Sequence, residues 1–167
     1  MTDKSHIRKL IGYMIWADEQ MCAAAGALSD EEYHREQGIS LGSVHKLLVH
    51  GMAAQWLWLL RWKNEPPIKI ETEALYPTRE SLTRRWPHVH AALLGFLEEQ
   101  TESTLAVIVS YRNSRGEAMS LPLGILMVYL VDHATYHRGQ INSMIKRAGG
   151  KPWGGSMYMY MIEQEGK

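Results

Sequence analysis

The sequence predicts an all-α fold, a four-helix bundle with a small β-hairpin before the fourth helix. Two observations support this fold class. Apolar residues recur at intervals of three and four along four long segments, which is the spacing of one face of an α-helix. A short stretch before the fourth segment is instead rich in β-branched and aromatic residues, which favour strands.

The first predicted helix runs from about residue 5 to residue 28, and its apolar residues keep the helical spacing throughout. Either Asp3 or Ser5 can cap its N-terminus, because the side-chain oxygen of each can accept a hydrogen bond from a free backbone N–H. The segment 29–38 that follows is polar, and we expect it to be an irregular connection.

The second predicted helix begins after Ser43, a favourable N-cap residue, and continues to about Trp62. The Asn64–Pro67 segment ends it, because proline cannot continue a helix. A loop to Pro77 follows. A connection of this length fits a crossover between helices two and three better than a tight antiparallel turn.

The third helix is predicted from Thr78 to about Ser103, and Pro87 falls within it. A proline there predicts either a kink or the end of one helix and the start of another. Residues 105–121 contain a β-branched and aromatic run followed by turn-forming residues, so this segment is predicted to form the β-hairpin.

The fourth helix is predicted to begin at Pro122, which is tolerated in a first turn. Its end is expected near residues 146–148, because Gly149 follows as a C-terminal stop. Residues 157–163 are predicted to form a short final helix.

Composition places the chain among ordinary globular proteins, and we expect residues 1–167 to form one domain. Positive and negative side chains balance, which gives no electrostatic reason to expect a nucleic-acid partner. No apolar run reaches the roughly 20 residues that cross a bilayer, and the N-terminus lacks a signal core. Cys22 is the one cysteine and is expected to pack in the first helix. A single cysteine cannot form an intrachain disulfide, which fits a reducing compartment, so the predicted location is the cytoplasm.

Three histidines form the candidate functional site. His133 and His137 stand four apart in the fourth helix, on an otherwise apolar face, and His50 lies on the apolar face of the second helix. A histidine on such a face is commonly a core residue with a hydrogen-bond partner. The alternative is a metal site, since bundles build such sites from facing helices. Three imidazole ligands would leave a coordination position open, as in catalytic zinc sites.

Two other kinds of metal site do not fit the sequence. A zinc protease of the His-Glu-x-x-His type needs glutamate directly after the first histidine, and Ala134 stands there. A di-iron bundle needs two Glu-x-x-His motifs, whereas this chain has one such spacing, from Glu31 to His34, in a predicted loop.

The sequence predicts no functional role for the remaining five histidines. Four of them stand in polar contexts and are predicted to be solvated, and the fifth is expected near the end of the bundle. In that order they are His6, His34, His88, His90 and His45.

Several short motifs resemble those of the DinB superfamily, small four-helix-bundle proteins also described as DinB/YfiT-like metalloenzymes. The resemblance covers nearly the whole chain. Its strongest part is the run from His133 to Ile141, with the sequence His-Ala-Thr-Tyr-His-Arg-Gly-Gln-Ile. The other matching segments are Tyr13 to Asp18, Gly42 to His50, Trp58 to Arg61, and Gly149 to Pro152.

This resemblance implies a divalent metal ion, with zinc or nickel most common, held by His50, His133 and His137. It also implies a homodimer packed through bundle helices. Characterised members of the superfamily include thiol-dependent transferases and isomerases that use bacillithiol, mycothiol or glutathione. The resemblance therefore favours a metal-dependent thiol S-transferase acting on small electrophiles, with a low-molecular-weight thiol as cosubstrate.

Two residues of the same motif could take part in such a reaction. Arg138 could pair with a carboxylate of the thiol, and Gln140 could orient a ligand or a substrate. For each residue a structural role is the alternative: an ion pair for Arg138, and a hydrogen bond between helices for Gln140.

Two further functions remain open at the level of sequence. Metal-assisted hydrolysis would need an acid or base near the metal, and Asp18 and Asp132 are the obvious candidates. Asp132 is adjacent to His133 and therefore points about 100° away from it around the helix. The other possibility is a metal-binding stress-response protein without enzymatic activity.

Overall fold

The computed structural model describes residues 3–65, 72–113 and 115–166. The predicted architecture is confirmed: four long helices form a bundle, and a two-stranded hairpin precedes the last of them. The elements in chain order are α1 (Lys4–Gly26), α2 (Asp30–His34), α3 (Val44–Trp62), α4 (Arg79–Glu98), α5 (Glu102–Leu105), β1 (Ile108–Arg112), β2 (Ala118–Pro122), α6 (Leu123–Arg147) and α7 (Met157–Glu165).

Each long helix packs against two others, α1 and α3 both against α4 and α6, so α1 and α3 lie diagonally across the bundle. Near the middle of α3, Gln55 accepts a hydrogen bond from Trp86 of α4, and at its end Trp62 stacks on Phe96. The later residue of α3 contacts the later residue of α4 in these two pairs, so α3 and α4 run parallel. Two consecutive parallel helices require the predicted crossover between them, and residues 66–71 of that connection lie outside the described part of the chain.

Local sequence sets where the bundle helices begin. The Asp3 carboxylate accepts a hydrogen bond from the backbone N–H of His6 at 2.7 Å, so Asp3 caps α1. Ser43 caps α3 as predicted, accepting from the backbone N–H of Lys46 at 3.1 Å. Each cap satisfies a backbone donor that the first helical turn leaves free.

The connection predicted over residues 29–38 contains a helix that the sequence reading missed. Helix α2 is short and capped by Ser29, whose hydroxyl accepts from the backbone N–H of Glu32. Its Tyr33 is almost fully buried in the core. One buried aromatic residue is enough to fix this turn, but it is too little to produce a helical periodicity in the sequence.

The third long helix is shorter than predicted, ending at Glu98 rather than near Ser103. Thr101 then caps a separate turn, α5, in which its hydroxyl accepts from the backbone N–H of Thr104. Pro87 does not end a helix, because α4 is continuous through it. The proline lies on the exposed side, where water can bond the carbonyl that loses its partner.

The hairpin pairs β1 and β2 in antiparallel register, with Ser110 opposite Ser120 and their hydroxyls 2.9 Å apart. Tyr111 of β1 packs edge-on against Trp58 of α3, with ring centroids 4.9 Å apart. This aromatic contact places the hairpin beside the second half of α3.

A buried polar cluster joins the four long helices. The carboxylate of Asp18 on α1 accepts hydrogen bonds from Arg138 on α6 at 3.3 Å and from Gln55 on α3 at 2.5 Å. Trp86 on α4 donates to Gln55 at 2.9 Å, and Nε2 of His90 lies 3.5 Å from the carboxylate. None of these residues is more than 5% exposed. The ion pair predicted for Arg138 is confirmed.

We expect Asp18→Ala to lower the free energy of unfolding by about 3–5 kcal/mol, because it leaves the buried charge of Arg138 without a partner. Urea unfolding monitored by circular dichroism measures this change. Glu98→Ala is the matched control: it breaks an exposed pair with Arg8 and should cost less than about 1 kcal/mol. Equal small losses in both variants would show that the Asp18 pair is not a structural requirement.

Candidate metal centre

Three histidines from two helices meet at one point of the bundle. Helix α6 runs antiparallel to α3, since Trp58 contacts Tyr129 and His50 contacts His137. This direction places His50, in the second turn of α3, opposite the middle of α6. Its ring centroid lies 5.5 Å from that of His133 and 4.6 Å from that of His137. One nitrogen from each of the three rings falls within 4.8 Å of the other two.

The two histidines of α6 are held side by side by their spacing. Four residues apart, they lie on adjacent turns of one helical face. Their Nε2 atoms are 3.2 Å apart, and both rings are half-buried. At this distance only one of the two Nε2 atoms can carry a hydrogen. The other Nε2 atom therefore keeps its lone pair.

Burial lowers the pKa of two of the three histidines. The pKa of His133 is lowered to about 4, first by burial and then by the neighbouring His137 and His50, against an opposing effect of Asp132. The pKa of His50 is also lowered, first by burial and then by His137. A metal binds the neutral imidazole, so a lowered pKa favours the ligand form at neutral pH.

Gln140 orients the ring of His137. Its side-chain oxygen lies 2.7 Å from Nδ1 of His137, and its amide donates to the Tyr136 hydroxyl at 3.1 Å. Because the oxygen can only accept, Nδ1 carries the hydrogen and Nε2 keeps its lone pair. The predicted hydrogen bond between helices is wrong for Gln140, since both of its partners lie on α6. Metal-binding histidines commonly have such a partner on the second nitrogen.

The residues present therefore fit a divalent transition metal. They offer three imidazoles with nitrogens close together, and one ring is already oriented by a hydrogen bond. Zinc, nickel, iron and copper all accept nitrogen ligands of this kind, and the donor set does not choose among them.

A cavity of about 360 Å³ opens beside the histidines. His50 and His133 form one end of it. The remaining lining residues come from the second half of α3, from the hairpin and its turn, and from α6: Ala53, Ala54, Leu57, Trp58, Arg61, Tyr111, Asn113 and Tyr129. A small molecule can therefore approach the rings of His50 and His133 from this side.

Comparison with known proteins agrees with this fold and with the earlier resemblance. A model of the DinB family matches residues 1–166. The chain belongs to the DinB family. It is 24% identical to the Protein DinB of Bacillus subtilis (strain 168) over 168 aligned residues, which cover 94% of this chain and 95% of that protein.

The fold is also that of a solved member of the family. The crystal structure of a DinB-like protein from Bacillus cereus ATCC 10987 superimposes with a TM-score of 0.68. The match covers 88% of this chain and 95% of that one at 19% sequence identity, and it supports the bundle architecture. Among the helices of the described residues, none is long and apolar enough to span a bilayer.

The two acids considered for hydrolysis do not reach the cavity. Asp18 lies in the buried cluster with Arg138, and Asp132 is exposed on α6. Neither contributes to the lining, and no other carboxylate of the described residues does. Arg138 is buried, pairs with Asp18, donates to Thr135 at 2.6 Å and does not line the cavity, so it is not placed to pair with a substrate carboxylate there.

The prediction of solvation is wrong for His90, which is 5% exposed. It follows Trp86 by four residues and precedes Leu93 by three, so the apolar stripe of α4 could have revealed its burial. His45 lies in the first turn of α3, near the end of the bundle as expected, but it is also buried, against the rings of Tyr33 and His34.

His6 and His88 are exposed as predicted, whereas His34 is half-buried. Burial, together with the charges of Asp18 and Glu19, raises the pKa of Cys22 to about 12. This cysteine therefore stays protonated at neutral pH, in agreement with a packing role.

Replacing Gln140 by alanine should weaken zinc binding by about 10- to 100-fold, because His137 loses the partner that fixes its tautomer and ring orientation. Competition with a chromophoric zinc chelator measures the affinity. Gln140→Glu keeps an acceptor and should retain binding. Ser143→Ala, which removes an exposed hydroxyl one turn further along α6, is the control. Wild-type affinity in Gln140→Ala would contradict the orienting role.

The metal-free protein should lose stability in acid. The pKa of His133 is 6.5 in the unfolded chain and about 4 in the fold, so between these values the unfolded chain binds more protons. The stabilisation present above pH 6.5 therefore disappears as the pH falls towards 4. His133→Gln should flatten this decline in urea titrations, whereas His88→Gln should not. An unchanged decline in His133→Gln would rule out this contribution.

Proposed function

We propose that the protein is a divalent-metal-dependent enzyme that transfers a low-molecular-weight thiol to small electrophiles, with His50, His133 and His137 as the metal ligands. One observation carries this proposal: the three imidazoles line or adjoin a cavity large enough for a small molecule. Three protein ligands beside an accessible space are the arrangement of catalytic metal sites, whereas structural sites are closed by a fourth protein ligand.

A divalent cation held by His50, His133 and His137 would lower the pKa of a thiol bound beside it and would so supply a thiolate nucleophile. The chain contributes the three imidazoles, and Gln140 holds the ring of His137 in its binding orientation. Largely apolar cavity walls, including Leu57 and Trp58, suit an apolar electrophile and limit competition by water.

Metal-assisted hydrolysis is the weaker alternative. It requires a general base or a group that stabilises the developing oxyanion near the metal. The described lining of the cavity contains no carboxylate to act as that base.

A purely storage or structural role would not require the adjoining cavity. Zinc or nickel as the native ion, a homodimer, a single domain and a cytoplasmic location remain predictions.

Metal content and thiol conjugation test the proposal together. The untagged wild-type protein should retain about one divalent ion per chain, as in other three-histidine sites, measured by mass spectrometry. Loaded with zinc or nickel, it should conjugate small thiols to 1-chloro-2,4-dinitrobenzene. In this reaction the thiol loses its proton, a carbon–sulfur bond forms and chloride leaves. His133→Ala should lose both the metal and the turnover while keeping its circular dichroism spectrum, and exposed His88→Ala should lose neither.

A wild-type protein that folds normally but binds no metal would overturn the proposal entirely. Stoichiometric metal without conjugation of any thiol would remove the transferase activity alone. Ester hydrolysis that depends on the metal would then support the hydrolase.

A further inference from the structure

Arg61 occupies the wall of the cavity that begins at the histidines. It lies in the last turn of α3, and its guanidinium stacks on two aromatic rings. The guanidinium carbon is 4.7 Å from the ring centroid of Trp58 and 5.2 Å from that of Tyr111. Both rings also line the cavity, so the side chain is held in a defined position within it.

The positive charge of Arg61 has no negative partner in the described part of the chain. Nη2 of Arg61 donates to the backbone carbonyl of Arg112 at 3.2 Å. The guanidinium has five N–H donors, so most of them remain available. Arg61 is half-buried, so its charge has lost part of its hydration, and this burial lowers the pKa of the guanidinium. A desolvated and unpaired guanidinium in a cavity is well suited to bind an anion.

The side chain of Asn113, which also lines the cavity, is already engaged. The amide of Asn113 donates to the carboxylate of Glu117 at 2.6 Å, and its oxygen accepts from the backbone N–H groups of Arg115 and Glu117. These bonds close the hairpin turn. Among the described lining residues, Arg61 is therefore the one permanent positive charge.

We propose that Arg61 binds the carboxylate of a thiol substrate whose sulfur lies at the three histidines. This inference rests on the proposed function and names its substrate class: small thiols that carry a carboxylate. The planar guanidinium offers two parallel N–H donors, a geometry that matches both oxygens of a carboxylate. The sequence suggested Arg138 as the partner of the thiol carboxylate. Because Arg138 is paired with Asp18, Arg61 takes that role instead.

Paired thiols test this selectivity by binding rather than by turnover. The cobalt(II)-loaded protein is titrated with 3-mercaptopropionate, 6-mercaptohexanoate and 8-mercaptooctanoate, each beside the neutral mercapto-alcohol of the same length. The longer thiols are included because eleven positions of α3 separate His50 from Arg61, which is about 16 Å along the helix axis. Thiolate coordination is read from the charge-transfer absorption of cobalt. In the wild type at least one carboxylate should bind about tenfold tighter than its alcohol, because a charged hydrogen-bonded pair forms only with the carboxylate.

In Arg61→Gln the affinity for the carboxylate should fall to within about twofold of the affinity for the alcohol, because the charged pair is lost. The affinity for the alcohol should stay at its wild-type value. Arg61→Lys keeps the charge but not the fork, and it should retain only part of the preference. Lys63→Gln is the matched control, because it removes a positive charge from an exposed residue two positions away. A merely structural role for Arg61 would lower the melting temperature without changing the ratio between carboxylate and alcohol.

Each outcome decides between the two proposals. A protein that binds the alcohols but shows no carboxylate preference, or an Arg61→Gln variant that keeps the preference, overturns the role of Arg61 and leaves the proposed function intact. If cobalt binds but no thiol alters its spectrum, both the transferase and this substrate class fail. A protein that binds no cobalt overturns both proposals and the metal site itself.

Discussion

The buried carboxylate of Asp18 is the constraint that sets the relative position of the bundle helices. It joins α1 to α6 through Arg138 and to α3 through Gln55. Arg138 directly follows His137, and Gln55 lies five residues after His50. The same carboxylate therefore fixes the axial positions of the two helices that carry the histidines. A shift of either helix by one turn would move its histidines about 5 Å, out of reach of a common ion.

The bundle core contains two polar layers with different properties. In the Asp18 layer, the principal hydrogen bonds and the ion pair are made within the protein, which is what buried charge requires. The histidine layer is half-buried, and its imidazole nitrogens face one another and the cavity. A polar layer that the protein satisfies internally serves the fold. A polar layer directed towards an accessible space is suited to bind something else.

The architecture was predictable because it depends on local patterns. Helical spacing located the four long helices, and caps such as Ser43 set their starts. The convergence of the three histidines was predictable from their places on apolar faces. The sequence left two roles open for Gln140 and gave the wrong environment for His90, because their surroundings depend on the rotation of each helix and on which partner satisfies each polar group. The cavity was not predictable from the sequence, since residues from α3, the hairpin and α6 form it together.

The hairpin separates the cavity wall that it forms at the surface from the bundle helices that hold the histidines. The histidines stand on long helices whose positions the core determines, whereas Tyr111 and Asn113 bring one cavity wall from a two-stranded hairpin at the surface. Substitutions in such a connecting element cost little stability and leave the bundle unchanged. Related chains can therefore diverge in the molecules they accept while keeping the same three rings. One scaffold can in this way give rise to many specificities.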